Sequence, residues 1–153
     1  MTRFALDANL LLLLIIGAAD PAFIEKHKRL RNYGRADFDI LRRALNDATE
    51  IVITPNVATE VSNIAAFGVR EPLKTRIAIA MGAMFSSFAE RYVRSEVAAE
   101  QPEFSRLGLT DCAALCVLDG NIALLTDDMD LYLAASNRGL EAYNFSRLRA
   151  PAA

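Results

Sequence analysis

The stretch Phe4-Ala5-Leu6-Asp7-Ala8-Asn9, which runs directly into an apolar segment from Leu10 to Ile16, decides the fold of this chain. It predicts a short buried strand, then a carboxylate, then a buried helix that ends at Gly17. An unpaired carboxylate in apolar surroundings costs several kcal/mol, so Asp7 needs a partner. Two arrangements satisfy it: Asp7 caps the following helix, or it faces other acids and shares a cation with them.

The bulk properties of the 153 residues predict one domain, which we place at residues 1–146, followed by a loose tail over 147–153. A hydrophobic fraction of 53% favours a parallel α/β interior. Because the net charge is -2, binding of nucleic acid would need a local patch of Lys and Arg. The apolar run after Asn9 is about ten residues, short of the roughly 20 that span a membrane, so we expect a cytoplasmic protein without a membrane segment.

Short apolar strands alternate with amphipathic helices along the rest of the chain. Further strands are predicted at 51–53, 122–125 and 141–145, and helices are predicted after Asp20 and Thr54, over 36–48, after Glu71, and from Asp111 and Leu131. Residues 94–106 show only a weak pattern, and we expect a loop with a short strand there. The alternation predicts a three-layer α/β/α fold around a central parallel sheet.

Four acids lie where such a fold would bring them together: Asp7, Glu60, Asp111 and Asp128. Two of them follow strands, and we expect the other two on the inward faces of first helical turns. The carboxyl ends of parallel strands share one edge of the sheet, where ligands bind. Clustered carboxylates repel one another unless a cation neutralises them, and an oxygen-only set suits Mg²⁺ better than Zn²⁺. Such an ion would activate a water for attack on a phosphodiester. Taken singly, Asp111 and Asp128 also fit helix N-terminal positions stabilised by the helix dipole.

A basic run stands out in this acidic chain and consists of Lys26, Lys28, Arg29, Arg31 and Arg35. It fits either a solvated helix face or a patch that contacts RNA phosphates, with Tyr33 interleaved. The only histidine, His27, lies in this charged run without a partner, which excludes Ser-His-Asp and Cys-His catalysis. Cys112 and Cys116 lie one helical turn apart, and we expect reduced thiols in the core rather than a disulfide.

Four segments resemble the motifs of PIN-domain proteins, and together they span most of the chain: Leu6-Asp7-Ala8-Asn9, the stretch 54–60, Leu107-Gly108-Leu109-Thr110-Asp111, and the stretch 124–131. The resemblance implies a Mg²⁺- or Mn²⁺-dependent ribonuclease similar to VapC-type toxins. It implies that the catalytic and metal-binding acids are Asp7, Glu60, Asp111 and Asp128. Supporting positions are Asn9, Thr126, Asp127 and Asp130. The doubled acid at Asp127 leaves open which of the acids at 127, 128 and 130 is a ligand.

The partners expected from this reading are RNA and a cognate antitoxin. Ile79 and Phe85 lie off the main apolar stripe of the helix after Glu71 and indicate a second apolar surface, which fits either core or a homodimer face. We also expect a homodimer. The insert from Gly17 to Arg35 makes the chain longer than a typical stand-alone toxin. Two other functions stay open: a PIN-like module that binds RNA or a partner without cutting, and a phosphohydrolase with another acidic-site fold. Asp7-Ala8-Asn9 lacks the Asp-x-Asp pair expected of an aspartyl-phosphate phosphatase, and we find no convincing pair of an acceptor Asp and a downstream Lys that a receiver domain needs.

Overall fold

A central sheet organises the structure, a computed structural model that describes residues 2–149. Within these residues the strands are β1 (Thr2–Leu6), β2 (Ala48–Ile53), β3 (Ala89–Glu90), β4 (Ile122–Thr126) and β5 (Ala142–Asn144). They form one sheet in the spatial order β3-β2-β1-β4-β5, and every neighbouring pair is parallel. The order reverses direction between β1 and β4, and Phe4 lies opposite Ile51 on one side and Ala123 on the other.

The helices that connect these strands are α1 (Ala8–Ala19), a 3₁₀ helix (Pro21–Lys26), α2 (Arg35–Leu45), α3 (Pro55–Ala65), α4 (Leu73–Ser87), α5 (Ser95–Ala99), α6 (Phe104–Leu107), α7 (Leu109–Val117), α8 (Met129–Asn137) and α9 (Phe145–Arg149). Two helix starts carry the predicted caps. The Asp20 carboxylate accepts a hydrogen bond from the Ala22 N–H at 3.1 Å, and the Thr54 hydroxyl accepts one from the Val57 N–H at 3.2 Å. Cys112 and Cys116 are free thiols on α7, as predicted.

The two faces of the sheet are covered by different helices. Leu6, Ile53 and Leu125 pack against α1, α2, α3 and α4 on one face. Their chain neighbours Ala5, Val52 and Leu124 point to the other face and pack against α7 and α8. The predicted three-layer α/β/α architecture with a parallel sheet is therefore confirmed.

The first helix lies in the core of the fold. Every residue from Leu10 to Gly17 is buried, so this part of α1 is enclosed by protein on all sides. It has only 12 residues, and no helix among residues 2–149 is long and apolar enough to cross a membrane. The predicted end at Gly17 was wrong, because α1 continues to Ala19. Gly17 has a packing role instead: a Cβ placed there would lie 2.2 Å from Cδ1 of Phe38.

Two segments that were expected to be irregular are helical. Residues 94–106 contain α5 and α6 and no strand, and helices of five and four residues are too short for an apolar period to reveal. The predicted loose tail begins inside α9, so residues 147–149 are folded. Residues 150–153 lie outside the described part of the chain.

Candidate active site

Asp7 lies at the carboxyl end of β1 and is held on both carboxylate oxygens. Its Oδ1 accepts a hydrogen bond from the Leu10 N–H at 2.9 Å, which caps α1. Its Oδ2 accepts from the Thr126 hydroxyl and from the Asp127 N–H, the latter at 3.1 Å. Burial raises the pKa of Asp7 above its ordinary value, against the lowering effect of these three donors. Asp7 therefore caps α1, which is one of the two arrangements predicted for it.

The carboxyl end of the neighbouring strand β4 supplies the other half of this contact. Thr126 is fully buried, and its hydroxyl also accepts a hydrogen bond from the Asp128 N–H at 3.0 Å. Asp128 then caps α8, because its Oδ1 accepts from the N–H groups of Asp130 and Leu131 at 2.8 and 3.1 Å. One hydroxyl therefore connects the two strand ends at the point where the sheet order reverses.

Asp111 lies in the first turn of α7 and is half-buried. Burial is the main reason that its pKa is raised from 3.8 to about 7, and the charges of Asp128, Asp7 and Glu60 raise the pKa further, in that order. Charges that shift a pKa lie nearby, so Asp128, Asp7 and Glu60 belong to the surroundings of Asp111.

Glu60 approaches the same region from α3, but not as predicted. We expected it inside the buried stripe of a first turn, whereas it lies in the second turn with an exposed side chain. Val57 and Val61 are buried beside it, so Glu60 marks the edge of the stripe. It lines an open groove of about 450 Å³ together with Thr110, the residue before Asp111. An exposed carboxylate at a groove is placed to meet a ligand from solvent.

The chemistry of the donor set fits a hard divalent cation. Four carboxylates without His or Cys ligands suit Mg²⁺ or Mn²⁺. Burial first and the neighbouring acids second raise the pKa of Asp111, and a cation would offset both effects. The side chains do not yet form a metal site: among residues 2–149 no three His, Cys, Asp or Glu side chains are placed to hold one ion together. Binding would therefore require the exposed side chains of Glu60 and Asp128 to turn toward Asp111.

Asp127 is occupied by contacts with distant parts of the chain. Its Oδ2 accepts a hydrogen bond from the Tyr33 hydroxyl at 2.6 Å and lies 3.5 Å from Nη1 of Arg149, while its Oδ1 accepts from the Ser146 hydroxyl. The Arg149 guanidinium also lies 4.8 Å from the centre of the Tyr33 ring. We refer to Tyr33, Asp127, Ser146 and Arg149 as the clasp. Because the Arg149 guanidinium already neutralises Asp127, Asp128 is the better candidate ligand of the doubled acid.

The remaining supporting positions lie at helix starts. Asn9 is exposed in the first turn of α1, and Asp130 is exposed in the first turn of α8. The Asp130 N–H already bonds to Asp128, so Asp130 contributes to the cap through its backbone. Thr126 alone of the predicted supporting side chains contacts one of the four acids directly among the described residues.

The five basic residues are all exposed, but the segment between them is not the solvated helix that was expected. Lys26, Lys28 and Arg29 line a cavity of about 480 Å³, and Arg31 and Arg35 lie outside it. His27 and Tyr33 are buried. The description of His27 as part of a polar surface without a partner was therefore wrong.

Sequence patterns did not reveal the clasp or the lining of this cavity. Tyr33 and Asp127 are 94 residues apart in the chain, and Arg149 belongs to the segment that was expected to be loose. Contacts of this kind leave no trace in local periodicity. The proximity of Arg and Tyr to acids is visible only once the fold brings α9 against α2 and the end of β4.

Comparisons with known proteins define the class of fold and nothing more. No protein-family model matches the chain, and no curated protein matches its sequence. A solved structure to which it is similar is a domain of a functionally unknown protein from Methanocaldococcus jannaschii DSM 2661. The two chains are 21% identical, with a TM-score of 0.50, and the match covers 100% of this chain and 94% of the other. This likeness concerns the fold alone.

Proposed function

We propose that the protein is a Mg²⁺- or Mn²⁺-dependent endoribonuclease of the PIN type. The observation that carries the proposal is that Asp7 and Asp128 follow the neighbouring strands β1 and β4 at the edge of the sheet where the strand order reverses, and that the Thr126 hydroxyl bonds to both residues. Glu60 and Asp111 complete the proposed set of four acids from α3 and α7. Ligand sites of parallel sheets lie at this edge. The motif resemblance supports the same four residues, and the absence of His and Cys from this set favours a hard cation.

Each acid has a distinct task in this proposal. A divalent ion bound there would lower the pKa of a water and stabilise developing charge on a phosphodiester. Asp7 is fixed by its three donors and supplies a ligand of constant position. Asp128 caps α8 with Oδ1, so its Oδ2 would be available to the cation, and Glu60 would turn toward it from the groove. Asp111 would hold the cation in its ionised form, so metal affinity should rise as the pH rises through the Asp111 pKa of about 7.

The test compares Asp111→Asn with Asp39→Asn, an exposed acid on α2 that serves as the matched control. Removing a ligand should reduce Mn²⁺-dependent cleavage of single-stranded RNA on the order of 100-fold or more, because loss of outer-shell partners alone reduces affinity or activity 10–100-fold. Asp39→Asn should cleave like the unmodified protein. Equal cleavage by both variants would rule out Asp111, and the absence of any metal-dependent cleavage in the unmodified protein would rule out the nuclease.

A second candidate, a PIN-like module that binds RNA or a partner without cutting, is favoured by one observation. No three acidic side chains among the described residues are already placed around one ion. The two candidates differ in their response to Mn²⁺. A nuclease should gain thermal stability with Mn²⁺ as RT ln(1 + [Mn²⁺]/Kd) and lose that gain in Asp111→Asn, whereas a module without a metal site should show no gain in either form. A phosphohydrolase of another acidic-site fold would share the gain but hydrolyse phosphomonoesters and leave RNA intact.

We extend the proposal to the biology that VapC-type toxins suggest: a cytoplasmic toxin, a cognate antitoxin that covers the acid cluster, and a homodimer. The long helix α4 has Ile77 as its only buried residue, and Ile79 is 67% exposed, which leaves apolar surface for a second copy. Expression should arrest growth and create site-specific RNA ends that Asp111→Asn does not create. Identical RNA ends and growth with both forms would refute the toxin.

A further inference from the structure

A cavity of about 480 Å³ lies between the end of the 3₁₀ helix and the end of α3. Its wall combines two chemistries. Lys26, Lys28 and Arg29 supply positive charge, and none of them forms an ion pair with an acid among residues 2–149. Aromatic surface comes from Phe23 and from Phe67, whose side chain is 79% exposed. Unpaired cations beside an open aromatic ring suit a ligand that is both anionic and flat.

The buried His27 fixes the cationic wall in place. The Arg29 N–H donates to its Nδ1 at 3.1 Å, so Nε2 carries the proton and donates to the Ala65 carbonyl oxygen at 3.0 Å. His27 thereby joins the basic segment to the last residue of α3, and the Phe23 ring packs edge-on against the imidazole at 5.9 Å. The three cations are carried by backbone that is already anchored, so binding a ligand requires little ordering of the chain.

The cavity and the groove beside Glu60 share one lining residue on α3. Asn63 lines both this cavity and the groove that contains Glu60. Asn63 lies three residues after Glu60, a rise of about 4.5 Å along the helix. A chain of nucleotides bound at the acids would therefore reach the cavity within a short step along the exposed face of α3.

We propose that this cavity is a nucleotide subsite for single-stranded RNA, in which Phe67 stacks on a base and Lys26, Lys28 and Arg29 contact the adjoining phosphates. The subsite rests on the proposed function, since it names where the substrate of that site extends. Single-stranded RNA fits because its unstacked bases are free to stack on aromatic rings while its backbone follows positive charge. A duplex hides its bases and would use only the cations. An acidic peptide would use the cations and leave Phe67 without a partner.

The test measures binding of an end-labelled oligoadenylate by fluorescence anisotropy in EDTA, where cleavage does not occur. Phe67→Ala should weaken binding about tenfold, since stacking is worth about 1–3 kcal/mol per base and 1.4 kcal/mol is tenfold. Phe67→Tyr should retain affinity. The matched control Leu133→Ala removes an exposed apolar side chain from α8 and should change nothing. Arg29→Ala should reduce the log-log salt slope by about 0.7, and the exposed Lys74→Ala on α4 should not.

The outcomes separate this subsite from the nuclease. Equal affinity of Phe67→Ala and the unmodified protein would overturn the subsite, even if Asp111→Asn abolished cleavage. A Phe67-dependent loss of binding in a protein that never cleaves RNA would uphold the subsite and refute the nuclease. Tighter binding of oligoglutamate than of oligoadenylate, with Arg29 required and Phe67 dispensable, would overturn the subsite and identify an acidic-peptide site.

Discussion

Asp7 and Asp111 face the same end of the sheet, but the fold treats their carboxylates differently. Asp7 is 6% exposed and receives three donors, from Leu10, Thr126 and Asp127. Asp111 is half-buried, and its pKa is raised by burial and by neighbouring acids, while no side-chain hydrogen bond from residues 2–149 offsets them. The hydrogen bonds of Asp7 stabilise the folded state, whereas the carboxylate of Asp111 is buried beside other acids without such bonds. An uncompensated acid of this kind is expected where a ligand binds.

The largest change in stability should come from Thr126→Val, which removes a hydrogen bond to Asp7. The substitution keeps the shape but removes the donor to Asp7 and the acceptor for the Asp128 N–H. Leaving buried polar groups unpaired should lower the free energy of unfolding by about 2–3 kcal/mol. Urea denaturation at neutral pH measures the loss.

Thr126→Ser is the matched control, because it keeps the hydroxyl and removes only a methyl group. It should lose less stability than the valine variant. If the serine variant is the less stable of the two, packing of the methyl group rather than the two hydrogen bonds determines the role of Thr126, and the contrast between Asp7 and Asp111 no longer holds.

Asp111→Asn should instead raise the free energy of unfolding, because it removes a carboxylate whose ionisation is unfavourable in the folded state. The folded pKa of Asp111, about 7, lies above its ordinary value of 3.8, so ionisation opposes folding. The stability that the neutral carboxyl allows is fully present below pH 4 and is lost as the pH rises through 7. The asparagine variant avoids this loss. Since the side chain is partly exposed, solvent screening limits the expected gain at pH 8 to about 1 kcal/mol.

Urea denaturation of both forms at pH 4 and pH 8 checks this prediction. The two stabilities should agree at pH 4 and diverge at pH 8, and saturating Mn²⁺ should stabilise the unmodified protein alone. A difference that is the same at both pH values would mean that ionisation of Asp111 does not oppose folding.

The sequence predicted those parts of the site that depend on local pattern. Neighbouring residues were enough to predict several helices and strands. Examples are the continuous apolar strand at 122–125, the helix caps followed by proline at Asp20 and Thr54, and the apolar helix after Asp7. These patterns were sufficient for the parallel sheet, and they suggested the edge at which Asp7, Asp111 and Asp128 lie. The four acids were grouped because the carboxyl ends of parallel strands share one edge of the sheet, and their role as metal ligands stays a prediction.

What the sequence could not predict depends on contacts between distant polar groups. His27 is buried because its ring bonds to the carbonyl of Ala65, 38 residues away. Glu60 is exposed because α3 turns one edge of its apolar stripe toward a groove, a rotation that period alone does not specify. The clasp joins Tyr33 to Asp127 across 94 residues. In each case the hydrophobic pattern fixes the element, while tertiary packing decides which polar side chains meet.

The smallest change in stability should come from Tyr33→Phe, which tests whether the clasp is coupled to the hydrogen bonds that hold Asp7. The change removes one donor to Asp127, while Ser146 and Arg149 still hold that carboxylate. The expected loss is about 0.5 kcal/mol, at the low end of the net contribution of a hydrogen bond, because Asp127 keeps two other partners. Tyr132→Phe, on α8, is the matched control and should be neutral.

Because Asp127 and Thr126 both donate to Asp7, the losses from Tyr33→Phe and Thr126→Val should not add. The loss from Tyr33→Phe and the gain from Asp111→Asn at pH 8 should add. Additivity in the first pair would place the clasp outside the contacts that hold Asp7, and coupling in the second pair would show that Asp111 belongs to the same network as Asp7.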